Sequence, residues 1–141
     1  MKNEIYPCLW FNGQAKEAAT FYCSVFPNSK ITDENPFVVM MELNGKPFMC
    51  LNAASDLEFN DAVSFVVNCE TQDEIDYYWK KLTSDGGSEN RCGWLKDKFS
   101  VSWQVVPAIL PELMRHPDKA EKVAAAFMKM TKFDIETLIN V

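Results

Sequence analysis

The chain reads as an α+β protein built from two strand–helix–three-strand modules, over residues 4–54 and 60–107, with a helical tail over 108–141. The order of apolar alternation, helical periodicity and turn signals in the first half returns in the second. The repeat extends to spacing, because Phe11 to Phe21 and Cys69 to Trp79 are both ten residues apart. After Pro107 the alternation gives way to helical spacing alone. Two copies of one unit within 141 residues predict a pseudo-twofold sheet structure forming a single domain, with a cavity between the copies.

In the first module, Ile5 to Phe11 reads as a strand ended by the turn pair Asn12-Gly13. Ala15, Ala18, Ala19, Tyr22 and Phe26 then fall on one helical stripe, which Pro27-Asn28 stops. Strands follow over Lys30 to Thr32, Phe37 to Leu43 and Pro47 to Asn52, the last two joined by Asn44-Gly45-Lys46, a strong hairpin signal. In the second module, Ala62 to Cys69 is a strand and Thr71-Gln72-Asp73-Glu74 has the form of a capping box. Ile75, Tyr78, Trp79 and Leu82 make the apolar face of the helix that follows, and Gly86-Gly87 lies beyond its end. Strands are expected around Glu89 to Cys92, Gly93 to Lys96 and Val101 to Val106. In the tail, Ile109, Leu110, Leu113 and Met114 predict one short helix, and Asp118 and Glu121 cap a second with the face Val123, Phe127 and Met130. Asp134 to Ile139 makes a last turn. These amphipathic helices need a surface, either an exposed sheet or a sister subunit.

The charge balance of 14 basic and 20 acidic residues, net −6, carries no basic stripe, which argues against nucleic acid as a partner. No apolar run reaches the length of a membrane span, and Met1-Lys2-Asn3-Glu4 opens no signal-peptide segment. Five cysteines, an odd number without a C-x-x-C pair, suit buried thiols in a reducing compartment and predict a cytoplasmic location.

The stretch from Cys92 to Val106 concentrates the functional question. Two short apolar runs flank the charged turn Lys96-Asp97-Lys98, as in a hairpin that walls a cavity. Trp103 and Val105 alternate with Ser102, Gln104 and Val106, so one face meets a core and the other something more polar. The Gln104 amide must find partners, either within the fold or on a ligand. Lys96, Asp97 and Lys98 read as a solvated turn or as a greeting for an anion at the cavity mouth. Cys92 reads as a packing thiol or, next to Arg91, as a weakly activated nucleophile. The single histidine, His116, falls between tail helices and reads as a surface residue.

Several segments carry a likeness. Leu9-Trp10-Phe11, Glu17-Ala18-Ala19, Phe26-Pro27-Asn28-Ser29-Lys30-Ile31, Asp76-Tyr77-Tyr78-Trp79-Lys80-Lys81-Leu82, Cys92 through Phe99 and Ser102-Trp103-Gln104-Val105-Val106-Pro107 resemble the PhnB-like group of the vicinal oxygen chelate (glyoxalase/bleomycin-resistance) superfamily. The resemblance implies paired βαβββ modules forming an open cup-shaped mixed sheet, in a homodimer. Many members carry the label demethylubiquinone 3-methyltransferase. A methyl-donor site on a doubly wound sheet needs a glycine-rich turn after the first strand, and a chain with five glycines and no G-x-G lacks one. The group's glycine after Asp-Lys-Phe is Ser100 here, and its Leu-Asn-Gly-Gly-Pro run is Leu51-Asn52-Ala53-Ala54-Ser55.

Metal-dependent members of the superfamily draw His and Glu ligands from inward strand faces. The matching positions here are Pro7 or Cys8, Ser64 and Gln104, a set that implies no metal and no cofactor. The resemblance and the residue chemistry together offer Asn52, Ser64, Trp94, Trp103 and Gln104 as the groups that meet a small molecule, with the two tryptophans equally readable as core. Three functions fit this reading. One is metal-independent binding of a small molecule in the cup, one is an enzyme polarising a small aromatic or oxygenated substrate, and one is a dimeric scaffold with a filled cup.

Overall fold

A proline shapes the start of the chain. Pro7 has no N–H to give a neighbouring strand, and in the computed structural model, which describes residues 3–141, the first strand β1 (Cys8–Phe11) begins only after it. Ile5, read from sequence as part of that strand, is 96% exposed. Met1 and Lys2, on which part of the export reading rests, lie outside the described residues. The chain divides into two compact units, one ending at Glu58 and one running from Phe59 to Val141.

In the first unit, helix α1 (Ala15–Val25) follows β1, then strands β2 (Lys30–Glu34), β3 (Val38–Leu43) and β4 (Lys46–Asn52). The sheet order is β1-β4-β3-β2, with β1 parallel to β4 and the other pairs antiparallel. Asn44 and Gly45 take φ of 50° and 79°, the left-handed pair that a tight hairpin requires. Period-2 alternation sends Leu9, Phe11, Val39, Met41, Leu43 and Cys50 to one face, where α1 lays Ala15, Ala18, Ala19, Tyr22 and Val25. Small alanines let the helix approach closely. Each large apolar side chain buried there contributes about 1.5–3 kcal/mol.

The second unit repeats the plan with strand β5 (Ser64–Cys69), helix α2 (Gln72–Leu82), strands β6 (Ser88–Glu89), β7 (Trp94–Lys96) and β8 (Ser102–Pro107), in the order β5-β8-β7-β6. β5 is parallel to β8, as β1 is to β4. The capping box forms: the Thr71 hydroxyl accepts from Glu74 N–H, and the Glu74 carboxylate accepts from Thr71 N–H. Ile75, Trp79 and Leu82 bury the helix against β8, β7 and β5, while Tyr78 is half-buried.

The tail helices α3 (Leu110–Met114), α4 (Ala120–Phe127) and α5 (Ile135–Ile139) dock on their own unit. Cys92 N–H donates to Met130 O and Gly93 N–H to Thr131 O, each at 2.8 Å. The Gln72 side chain holds the next turn from both sides, its Nε2 donating to Phe133 O at 2.9 Å and its Oε1 accepting from Ile135 N–H at 2.9 Å. Phe133 lies over Gly93, where a Cβ would come within 2.4 Å of its ring. Two tail expectations need correction. Lys119, not Asp118, occupies the N-cap position of α4, and no side chain caps that helix. Asp134, read as part of the last helix, stands ahead of it as the cap, accepting from Thr137 N–H at 3.1 Å.

Candidate functional site

In the second unit the strand register sorts the predicted site residues. Ser64, Ser102 and Lys96 lie directly opposite one another across β5, β8 and β7, and Val66, Gln104 and Trp94 form the adjacent row. Residues paired in register share a face, so these six side chains stand together on the side of the sheet away from α2. Val66 is 55% exposed, and Ser64, Trp94, Lys96 and Gln104 are half-buried. This face is therefore accessible.

Gln104 is the centre of that face. Its Nε2 donates to Ser64 Oγ at 2.9 Å, and its Oε1 has no partner among the described residues. Because Ser64 accepts this bond, its own O–H remains able to donate. Beside them, buried Ser102 donates to Asp61 Oδ1 at 2.6 Å, and the Lys96 ammonium stands 3.9 Å from the same oxygen. Trp94 supplies an aromatic surface across the strand from Gln104. The face thus offers an acceptor, a donor, a cation held loosely by its carboxylate, and a flat apolar wall.

Trp103 stands apart from the other predicted residues of this unit. Alternation sends it to the opposite face from Gln104, where it is 3% exposed and meets Phe65 at a ring-centroid distance of 5.4 Å. Its indole Nε1 donates to Asp97 Oδ2 at 2.8 Å, which places it in the core under α2. Asn52 is at the end of β4 in the first unit, with its amide engaged: Oδ1 accepts from Ala15 N–H at 3.4 Å and Nδ2 donates to Pro36 O at 3.2 Å. Ser64, Trp94 and Gln104 are the predicted residues that the structure brings together.

The Lys96-Asp97-Lys98 turn is not simply solvated. Asp97 is 2% exposed, and its Oδ1 accepts from Phe99 N–H at 2.8 Å and Val101 N–H at 3.1 Å while Oδ2 holds Trp103. This carboxylate shapes the loop that joins β7 to β8 and so sets the position of Gln104. The alternation that buries Gly93, Leu95, Asp97 and Phe99 was visible in the sequence, but charge masked it. Asp61 and Ser102 carried no such signal, because their pairing spans 41 residues.

Cys92 serves through its backbone, at φ 59°, in the turn pinned by Met130. Burial pushes the thiols of Cys50 and Cys69 up to about 12, with nearby Cys8 and Cys23 adding to the effect on Cys50 and Glu74 to that on Cys69. Both stay protonated packing groups at neutral pH. His116 is exposed, and its backbone carbonyl serves the turn into α4.

The metal site that the superfamily implies does not fit these residues. Ser64 and Gln104 are neutral, weak donors that hydrogen-bond each other, and among the described residues no group of three or more His, Cys, Asp or Glu is placed to hold a metal ion.

Two modules of identical strand order, each with one helix on one face, define the glyoxalase/bleomycin-resistance fold. The manganese- and sulfate-bound fosfomycin resistance protein FosX from Listeria monocytogenes shares that fold at a TM-score of 0.62, with 10% identity over 82% of this chain and 97% of that one. The family is more specific: residues 3–106 match the model described as 3-demethylubiquinone-9 3-methyltransferase, and the chain belongs to that PhnB-like family. A PhnB protein from Bacillus cereus, provisionally described as a 3-demethylubiquinone-9 3-methyltransferase, is 33% identical over 75% of this chain and all of that one, with a TM-score of 0.68. Protein PA1353 from Pseudomonas aeruginosa, at 19% identity and a TM-score of 0.61, covers 74% of this chain and 96% of its own. No protein of curated function matches the chain.

Proposed function

We propose that the protein binds a small, oxygen-bearing planar molecule on the open face of the second sheet, without a divalent metal. The observation that carries this reading is the Gln104–Ser64 pair, whose unsatisfied acceptor and donor stand on an accessible face directly across from Trp94. Lys96 adds a preference for a carboxylate or an enolate oxygen. The family label of methyl transfer finds no support in the chain. The turn after β1 is Asn12-Gly13, with no glycine-rich loop to seat a nucleotide-like methyl donor, and each sheet is a mixed four-stranded one.

The protein acts as a homodimer in the cytoplasm in this reading. Sheet edges such as β2 and β6 favour a partner, and five free cysteines suit a reducing compartment. A catalytic variant of the same site, in which Ser64 and Gln104 polarise a substrate carbonyl, differs by turnover alone.

A panel of aromatic carboxylates and hydroxyketones, scored by ligand-observed NMR against the native protein and Gln104→Leu, tests the reading. Compounds should bind the native chain and lose about 1–3 kcal/mol of affinity in the variant, whose melting temperature stays near native. A large fall in melting temperature with affinity unchanged would show that Gln104 serves only the fold.

A further inference from the structure

The face of the first sheet away from α1 carries an unusual run of sulfur. Cys8 on β1 pairs with Met49 on β4, and Met49 pairs with Met40 on β3. Register partners share a face, so a thiol and two thioethers stand in one row across three adjacent strands. Neighbouring strands are about 4.8 Å apart, and in the antiparallel β3–β4 pair directly opposed Cβ atoms are about 4.5–5.5 Å apart, within the reach of flexible methionine side chains. Cys8 is exposed, and Met40 and Met49 are half-buried. The same strands also send Met41 and Cys50 to the α1 side, but those are fully buried with their sulfurs 4.0 Å apart and play no part in the exposed row.

We propose that Cys8, Met49 and Met40 form a binding site for a soft monovalent cation of the copper(I) and silver(I) class. Thiolate with thioether is a donor set such ions favour over zinc, magnesium or calcium. Capture by the Cys8 thiol replaces its S–H bond by a sulfur–metal bond and releases one proton to solvent, with no change of oxidation state. Asp33, opposite Met40 on β2, continues the row with a hard oxygen donor that a soft ion does not need.

The test uses the full chain with Cys23→Ser and Cys92→Ser, which removes the other two thiols that are not buried. Copper(I) is titrated under anaerobic, reducing conditions against a chromophoric copper(I) chelator, with ultraviolet sulfur-to-copper absorption as a second readout. About one copper per chain is expected, with binding abolished in Cys8→Ser. Met40→Leu and Met49→Leu should each weaken it by at least about tenfold, the lower end of what losing even an outer-shell partner costs. Methionine-to-leucine exchanges keep volume and fold, which circular dichroism verifies. The proposal is overturned if no copper is retained, if retention survives Cys8→Ser, or if the Met40→Leu/Met49→Leu double variant binds as tightly as its parent, leaving a thiol that acts alone.

Discussion

Asp97 turns a charged loop residue into a core residue, and its removal should be felt through the whole second unit. Its two oxygens accept from Phe99 N–H, Val101 N–H and Trp103 Nε1, at 2.8, 3.1 and 2.8 Å. Asp97→Ala strands all three donors, each at about 1–3 kcal/mol when buried. Neighbouring Ser100 is exposed, so water can reach part of the loop and the expected total is the lower part of that range, about 3–5 kcal/mol. Against a typical domain stability of about 5–15 kcal/mol this is a large fraction. Asp97→Asn keeps one acceptor oxygen but presents an N–H to a donor, for about 2–3 kcal/mol. Trp103→Phe removes the donor on the other side. If the Oδ2–Nε1 bond is the one the asparagine breaks, the double variant costs less than the two singles combined by about 1–2 kcal/mol. Urea unfolding at pH 7, followed by circular dichroism with tryptophan fluorescence as a second probe, gives all four values. A loss below about 1 kcal/mol for Asp97→Ala, the range of surface substitutions, would refute the carboxylate's role.

Gly93→Ala should destabilise by about 2–4 kcal/mol in the same assay, because the new Cβ meets the Phe133 ring and Val105 O at a φ of 79°; a neutral result would mean that the tail does not press on this turn. Ser100 occupies the left-handed region at φ 71°, so Ser100→Gly should raise stability by about 0.5–1 kcal/mol, and a loss would contradict the strain. The thiols of Cys50 and Cys69 lie at about 12 in the folded protein against an ordinary 9.0. The unfolded chain therefore gives up these protons first, so their contribution is full below about pH 9 and falls as pH rises toward 12, by roughly 1 kcal/mol per thiol at pH 10. Unfolding measured at pH 8 and pH 10 should show this fall, and a Cys50→Ala/Cys69→Ala variant should flatten it; an unchanged slope would remove the thiols as its cause. Asp76, held below the usual carboxylate range by hydrogen bonds from Lys132 and Gln72, adds a small term present above about pH 4 and lost as pH falls through its lowered value.

Local chemistry made most of the fold legible. The Asn44-Gly45 turn, the Thr71–Glu74 box and the alanine stripe of α1 each act within a few residues, where sequence pattern and geometry are tightly linked. The site was half legible for the same reason. Alternation along β8 set Gln104 against Trp103, yet both were offered to one ligand; the register with β7 and the Asp97 bond send Trp103 to the core. Contacts over long separations, such as Ser102 with Asp61 or Gln72 with Phe133, left no mark in the pattern. Asp97 misled because a carboxylate between two lysines is usually a solvated one.

The clasp of Gln72 on Phe133 and Ile135 also sets an order of events during synthesis. Pairings within the first unit close by Asn52, so that unit has all its sheet partners while the rest is still being made. The second unit waits, since the bond from Ile135 to Gln72 bridges 63 residues and Thr131 must arrive before Gly93 is pinned. Until then the Cys92–Gly93 turn and the apolar strands beside it lack their cover, and a nascent chain paused short of residue 131 exposes them to chaperones and to aggregation. Slow codons placed beyond the second module would lengthen that exposed interval, while those between the modules would leave the first unit free to finish.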